Sequence, residues 1–226
     1  MKPIIHAQNS AKQFGGKPDT YFPLHQLMDI TKSSLPDVRH RMMLHHDKGI
    51  AIMPYMLGKQ ISIGSKKVSV EKIATQHIVE DLSFIPKVQQ YLDLIPVEKW
   101  MKDAYLAFPT KHCEFAKKHP KIHAFLVGWL TPDPRSIIFV CNTYMPYFVE
   151  IAFGPLIGKI PTRDIVEKFI SSFVEIQGLE FLLDDMRIES WMVRPALLQK
   201  DVLQVPAKKQ KVIHKTVIDP LRVKLD

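Results

Sequence analysis

Apolar and polar positions alternate along this chain in short helical runs separated by turns, and they do so twice. Residues 1–20 are polar and carry Gly15-Gly16, which predicts a loop. From Phe22 to Lys32, apolar residues at 24, 27, 28 and 30 share one helical face. Pro36 suits the first turn of the next helix, where its missing N–H goes unused. The pattern carries that helix to the neighbourhood of Gly58, with a kink or break expected at Gly49 or Pro54. Ile61-x-Ile63, the Gly64-Ser65 turn and Val68-x-Val70 alternate with period two and predict a β-hairpin. Glu71 to Leu82 and Pro86 to Leu94 read as further helices.

The second part repeats this plan. Asp133 to Gly154 predicts the long helix, and Asp164 to Leu183 predicts the counterpart of the helix over 71–82. The segment between them contains Gly158 and Pro161 and predicts a loop, because proline cannot donate to a strand ladder. Displaced by about 96 positions, Pro36-Asp37-x-Arg39 falls on Pro132-Asp133-x-Arg135, Gly58 on Gly154, and Val70-Glu71-Lys72 on Val166-Glu167-Lys168. Each copy closes on a Trp-Met pair, Trp100-Met101 and Trp191-Met192. The expected architecture is mainly α with one or two small β-hairpins, built by tandem duplication of a helical unit of about 95 residues. The expected domains are a histidine-rich first repeat at 1–103, a degenerate second repeat at 104–204, and a basic extended tail at 205–226 that docks as an arm.

The copies differ in their polar chemistry. In the 96-position frame His40, His45, His46, His77 and Asp81 face Ser136, Cys141, Asn142, Phe173 and Gln177. Histidines needed for folding would not be lost together, since each loss would leave a buried partner unpaired at a cost of about 1–3 kcal/mol. Their joint replacement points to a site confined to the first copy.

Composition narrows the setting. Of 226 residues, 46% are hydrophobic and 24% charged, ordinary for a water-soluble domain. No apolar run approaches the ~20 residues of a membrane span, so no membrane partner is expected. The start lacks the apolar stretch of a secretory signal, and two cysteines imply no disulfide framework. A cytoplasmic protein is the expectation. The net charge of +8 makes an anionic partner, a nucleotide or nucleic acid, an expectation. Its lysines are scattered, however, and none forms a nucleic-acid reading element. Phosphate-binding glycine loops, C-x-x-C and G-x-S-x-G motifs do not occur in the sequence. Cys141, in an apolar helix, reads as a small buried hydrophobe. His112, His119, His123 and His214 read as ordinary core or surface residues.

The candidate chemistry is a metal or acid–base centre. His25/Asp29 and His77/Asp81 stand at i,i+4, which puts imidazole and carboxylate on one helical face. Glu80 points about 100° away from Asp81 on a helix. On a straight helix His40 and Asp47 share a face while His45 and His46 point elsewhere. Either one of these histidines is structural or the helix breaks near Gly49. The candidate metal ligands are His25, Asp29, His40, His46, His77 and Asp81, a donor set suited to zinc, manganese or iron. Lys32, Arg39 and Arg41 are the candidate substrate-binding cations, although Arg39 has its counterpart in Arg135.

Leu44-His45-His46-Asp47-Lys48-Gly49 resembles the L-H-D-x-G core of HD-domain metal phosphohydrolases. That resemblance implies His25 or His40 as first ligand, His46 and Asp47 as the pair, and Asp81 as the last. Residues 6–101 are more closely similar to a family of small uncharacterised bacterial and phage proteins. The similarity rests on His6-x-x-x-Ser10-Ala11-x-x-Phe14-Gly15-Gly16, His25-x-x-x-Asp29-x-x-Lys32, Arg39-His40-Arg41-x-x-x-His45-His46, Gln76-His77-x-x-Glu80-Asp81 and Trp100-Met101. It implies a bacterial or phage-infected cell as the setting and a family role for the histidines. The function expected is metal-dependent hydrolysis of a phosphorylated substrate, a nucleotide or nucleic-acid end. The alternative is a non-enzymatic accessory module that binds nucleic acid or a protein machine through its basic surface, second repeat or tail. Its histidines would then form a structural metal site or a polar network.

Overall fold

Short helices dominate because 17 prolines and 9 glycines punctuate the 226-residue chain. The computed structural model describes residues 1–109 and 113–193. The expected tail at 205–226, together with His112 and His214, lies outside the described residues. The architecture is mainly helical, with two small antiparallel two-strand hairpins. Among the described residues no helix is long and apolar enough to cross a membrane.

In the first half, α1 (Pro3–Phe14) packs on α2 (Pro18–Met28), each opening with proline in its first turn. The N-terminal segment is therefore helix where a loop was expected. Its buried face is His6, Ala7 and Ser10, so the helical stripe is largely polar and escapes a search for apolar periodicity. The expected long helix from Pro36 to Gly58 is instead two pieces. A 3-10 turn spans Val38–Met42, the chain reverses over 43–46, and α3 begins at Asp47 and ends at Leu57. Gly49 permits the tight start, because a Cβ there would collide with the carbonyl of Leu44. Strands β1 (Gln60–Ile63) and β2 (Lys66–Ser69) then form the expected hairpin, pairing Ile61 with Val68. Helices α4 (Val70–Leu82), α5 (Val88–Leu92) and α6 (Lys99–Ala107) follow.

The second half contains α7 (Glu114–Lys118), α8 (Pro120–Trp129), a 3-10 turn at Pro134–Phe139 and α9 (Met145–Phe153). Here too the expected long helix is broken. The Gly158-Pro161 segment is a hairpin rather than a loop: β3 (Leu156–Ile157) pairs with β4 (Ile160–Pro161). Proline is tolerated because it sits at the end of a two-residue strand, just before α10 (Thr162–Ile170). The predicted helix over 164–183 is split into α10 and α11 (Leu179–Leu182).

Several local devices recur. Asp37 accepts from the backbone N–H and guanidinium of Arg39, and Asp133 does the same for Arg135. Arg39 also donates to the carbonyl of Leu183, just after α11, while Arg135 donates to that of Ile95, just after α5. Each half is thus braced by an arginine from the other. Gly58 and Gly154 end α3 and α9 with φ of 80° and 90°, a conformation that favours glycine. In each half the helix after the hairpin starts with the same bond, Val70 N–H to Lys59 O and Thr162 N–H to Pro155 O. Because the second hairpin is four residues shorter, the spacing between halves drops from 96 to 92 after it. His77 and Asp81 therefore stand opposite Phe169 and Phe173, not Phe173 and Gln177. The burial pattern agrees: Val70, Ala74, His77 and Ile78 are buried, as are Thr162, Val166, Phe169 and Ile170.

Candidate metal centre

Three segments of the first half converge on one buried point. Helix α4 contributes His77 and Asp81 one turn apart, both fully buried. Asp29 is the residue that ends α2, four positions after His25. His45 arrives from the reversal at 43–46, which turns its ring inward. One donor atom from each of Asp29, His45, His77 and Asp81 lies within 4.8 Å of all the others. The Nε2 atoms of His45 and His77 are 3.0 Å apart. Asp29 Oδ1 is 3.5 Å from the first and 3.6 Å from the second, and Asp81 Oδ2 is 3.6 and 4.0 Å away. Bonds of 2.0–2.2 Å to one ion would put tetrahedral donors roughly 3.4 Å apart. This buried group could hold a metal ion.

Unused hydrogen-bonding capacity is concentrated at the same place. Asp29 Oδ1, Asp81 Oδ2, His40 Nε2 and His6 Nε2 are buried and make no hydrogen bond among the described residues. His40 donates from Nδ1 to the carbonyl of Asp37, so in the neutral ring Nε2 is a bare lone pair. It lies 3.6 Å from Asp29 Oδ1 and makes a fifth donor at the rim. Burial and the neighbouring imidazoles hold the rings of His45 and His77 neutral. The pKa of His77 is pulled down to about 4, first by burial and then by the adjacent His6. That of His45 lies well below 6.5, chiefly through burial. Burial would raise the two carboxylates, but their contacts with the surrounding imidazoles, His40 and His77 first among them, hold Asp29 far below the usual range. His45 and His6 do the same for Asp81.

The sequence-derived set divides on this geometry. His77, Asp81, Asp29 and the rim residue His40 meet. His25 is buried beside them, but Ser10 Oγ lies 2.8 Å from its Nε2 and His77 Nδ1 2.9 Å from its Nδ1, so it stands behind the donors. His46 lies elsewhere. It caps α3, accepting from Gly49 N–H at Nδ1 and donating from Nε2 to the Met42 carbonyl, so neither nitrogen is free. Asp47 binds the backbone N–H groups of Lys48 and Val88 and pairs with Lys87. The His-Asp pair of the HD-type resemblance is thus outside the cluster.

His45, which helical geometry had turned away, is a donor because the segment before α3 is not α-helical. His6 was missed as well. Its ring stacks on His77 at 3.9 Å between centroids, with Nδ1 2.5 Å from Glu80 and Nε2 3.2 Å from Asp81. Burial opposes its charge, yet those carboxylates raise its pKa. Glu80, which was expected to face away, reaches the cluster through His6.

The three candidate cations are all engaged. Lys32 pairs with Asp29 at 2.8 Å and donates to the Met1 carbonyl. Arg41 is buried, 3.5 Å from Asp81, and donates to the carbonyl of Met192. Arg39 serves Asp37 and Leu183, a structural role. The amino group of Met1 also pairs with Asp81. Only Asp29 and Lys32 of the candidate site residues also line a cleft of about 930 Å³. The C-terminal turns of α3 and α9 form its opposite walls, with apolar residues such as Leu27, Met56, Ile61 and Ile151.

Residues 1–101 match the model of a domain of unknown function (DUF6915), and that stretch contains every residue of the cluster. No curated protein and no solved structure matches the chain.

Proposed function

We propose that the first half holds one transition-metal ion on Asp29, His45, His77 and Asp81, with His40 adjoining. We further propose that the ion serves hydrolysis of a phosphorylated substrate taken up in the adjacent cleft. The observation that carries this reading is the set of buried, unpartnered lone pairs, Asp29 Oδ1, Asp81 Oδ2 and His40 Nε2, gathered around the facing Nε2 atoms of His45 and His77. Left without a cation, each such atom would cost about 1–3 kcal/mol. Imidazole with carboxylate and no thiolate fits zinc, manganese or iron. It is also a donor chemistry of catalytic sites, whereas structural zinc sites lean on cysteine. An ion in this position supplies a Lewis acid and a water of lowered pKa.

The residues of this chain do the rest. Asp29 contacts the other donors through Oδ1 and, with Lys32, lines the cleft, which supports approach of a ligand from that side. Lys32 is the cation able to meet a phosphoryl group there; Arg41 neutralises Asp81 from behind. On this reading the anionic partner is the substrate itself. The end of the family match near the boundary between the halves supports residues 1–103 as the unit that carries the site.

The second reading, a non-enzymatic module in which the ion or polar network holds the fold, is favoured by the complete burial of His45, His77 and Asp81. The two part on one assay. Protein loaded in turn with zinc, manganese and iron is given nucleotides and p-nitrophenyl phosphate, and released phosphate is measured. Turnover that Lys32→Ala abolishes while ion content stays within twofold supports hydrolysis. No turnover with any loaded form removes it and leaves the module.

A further inference from the structure

A directed run of hydrogen bonds leads from the surface into the centre. Gln76 and Glu80 are one turn apart on α4, and Gln76 Nε2 donates to Glu80 Oε1 at 2.7 Å. This fixes the amide orientation and turns the Gln76 carbonyl oxygen toward Ser10. The Ser10 hydroxyl donates its single hydrogen to that oxygen at 2.7 Å. At its other contact, His25 Nε2 at 2.8 Å, Ser10 must accept, so His25 Nε2 carries a hydrogen. His25 is fully buried and its two nitrogens face Ser10 and His77 rather than a carboxylate, so the ring is neutral. A neutral imidazole has one N–H, so His25 Nδ1 is bare and accepts from Nδ1 of His77 at 2.9 Å. His77 is neutral as well. Its remaining nitrogen, Nε2, is therefore the bare one, and it faces His45 and Asp29.

We propose that Gln76, Ser10 and His25 are positioning residues that hold His77 as its Nδ1–H tautomer, so that its Nε2 lone pair is presented to a metal ion. The role rests on the metal reading above, whereas the tautomer itself exists with or without the ion. Ligand histidines characteristically have their second nitrogen fixed in this way. His45 contrasts with His77. Its Nδ1 has no partner among the described residues, so it can carry its hydrogen on either nitrogen and donate to His77 when no ion is present.

The relay makes Gln76 decisive, because its carbonyl sets the direction of every bond behind it. With Gln76→Met, Ser10 loses its acceptor and can donate to His25 Nε2. His25 then donates from Nδ1, and His77 is left with its hydrogen on Nε2, the wrong tautomer for a ligand. Gln76 is half-buried, so the substitution removes little packing.

Two-bond proton–nitrogen correlation spectra of metal-free protein carrying ¹⁵N-histidine read the tautomer directly near neutral pH. His77 is expected as Nδ1–H in the wild type, unchanged in Ser10→Thr, and as Nε2–H in Gln76→Met. Zinc affinity, measured by competition with a chromophoric chelator, should fall 10- to 100-fold in Gln76→Met and be kept in Ser10→Thr. A wild-type His77 with its hydrogen on Nε2, or a tautomer that Gln76→Met does not move, overturns the relay. If Gln76→Met fails to fold, the wild-type spectrum still decides the direction of the bonds. Wild-type protein with Nδ1–H His77 but no affinity for zinc, manganese or iron sinks the positioning role and the metal reading together, and the tautomer tells that failure from failure of the relay.

Discussion

Helices α4 and α10 start from the same backbone bond after a hairpin and bury the same face, yet they close the two halves with opposite chemistry. Seven residues in, α4 has His77 where α10 has Phe169; four residues further stand Asp81 and Phe173. In the first half His6 stacks on His77 at 3.9 Å, and carboxylates, Lys32 and Arg41 gather around it. In the second half Phe115 stacks on Phe169 at 3.8 Å, with Phe108, Phe173 and His123 around them. An aromatic cluster needs only burial and ring geometry; a cluster of carboxylates and imidazoles needs a counter-charge for every anion.

The contrast also separates structural atoms from surplus ones. His40 Nδ1 binds the carbonyl of Asp37, and Ser136 Oγ binds that of Asp133 at 2.6 Å. His46 binds the carbonyl four residues back and caps the next turn; Asn142 does both with its amide. These jobs are done in both halves. What the second half lacks is the Nε2 of His40, His45 and His77 and the carboxylate of Asp81, the atoms that converge. The same backbone devices thus surround a polar cluster in the first half and an aromatic cluster in the second.

The largest effects should separate the two closures. Asp81→Ala strips the partner from buried Arg41 and from the Met1 amino group, at a cost of about 3–5 kcal/mol, and should abolish ion binding. Phe169→Ala, at the place of His77, should cost a similar ~3–5 kcal/mol by leaving a cavity while ion content stays at the wild-type level. Thermal denaturation with elemental analysis of both variants checks this. Ion loss in Phe169→Ala would mean that the halves are not energetically distinct.

Acid should act on the first half. In metal-free protein His25, His45, His46 and His77 have folded pKa values lowered from 6.5, to about 4 for His46 and His77. The unfolded chain therefore binds more protons as pH falls below 6.5, and stability drops by up to ~1.4 kcal/mol per pH unit for each group. Asp29 and Asp81, with lowered values, add stability above 3.8 that is lost at lower pH. His6, with a raised value, acts in the other direction: its contribution is full below 6.5 and lost as pH rises through its folded pKa. One group does not offset four, so denaturant midpoints should fall steadily from pH 6.5 to 4. A flat profile would mean that the buried imidazoles are not neutral.

The smallest effects belong to the shared devices. Arg39→Ala and Arg135→Ala should each cost about 1–3 kcal/mol and agree within roughly 0.5 kcal/mol, because each removes the same brace. His46→Asn, which copies Asn142, should cost no more than about 1 kcal/mol and leave ion affinity unchanged. A tenfold loss of affinity in His46→Asn would restore it to the ligand set.

Local rules carried part of this fold. The hairpin at 61–70 followed from strict alternation, and the His77/Asp81 pair from helical spacing on what is α4. Other features were hidden for identifiable reasons. Helix α1 buries His6 and Ser10, so the residues that build the centre are the ones that disguise the helix. His45 could not be placed from period 3.6, because the 3-10 turn and reversal before α3 turn successive histidines to different neighbours. The register change after the second hairpin depends on strand length, which sequence similarity alone did not expose. The relay through Gln76 and Ser10 joins α1 to α4, and no sequence spacing encodes that contact.

Elemental analysis of protein purified without a histidine tag bears most directly on the difference between the halves. About one zinc, manganese or iron ion per chain is expected, lost on Asp81→Ala and kept on Phe169→Ala. Metal-free protein that still unfolds cooperatively, and that takes up none of these ions when offered them, would contradict a metal centre in the first half.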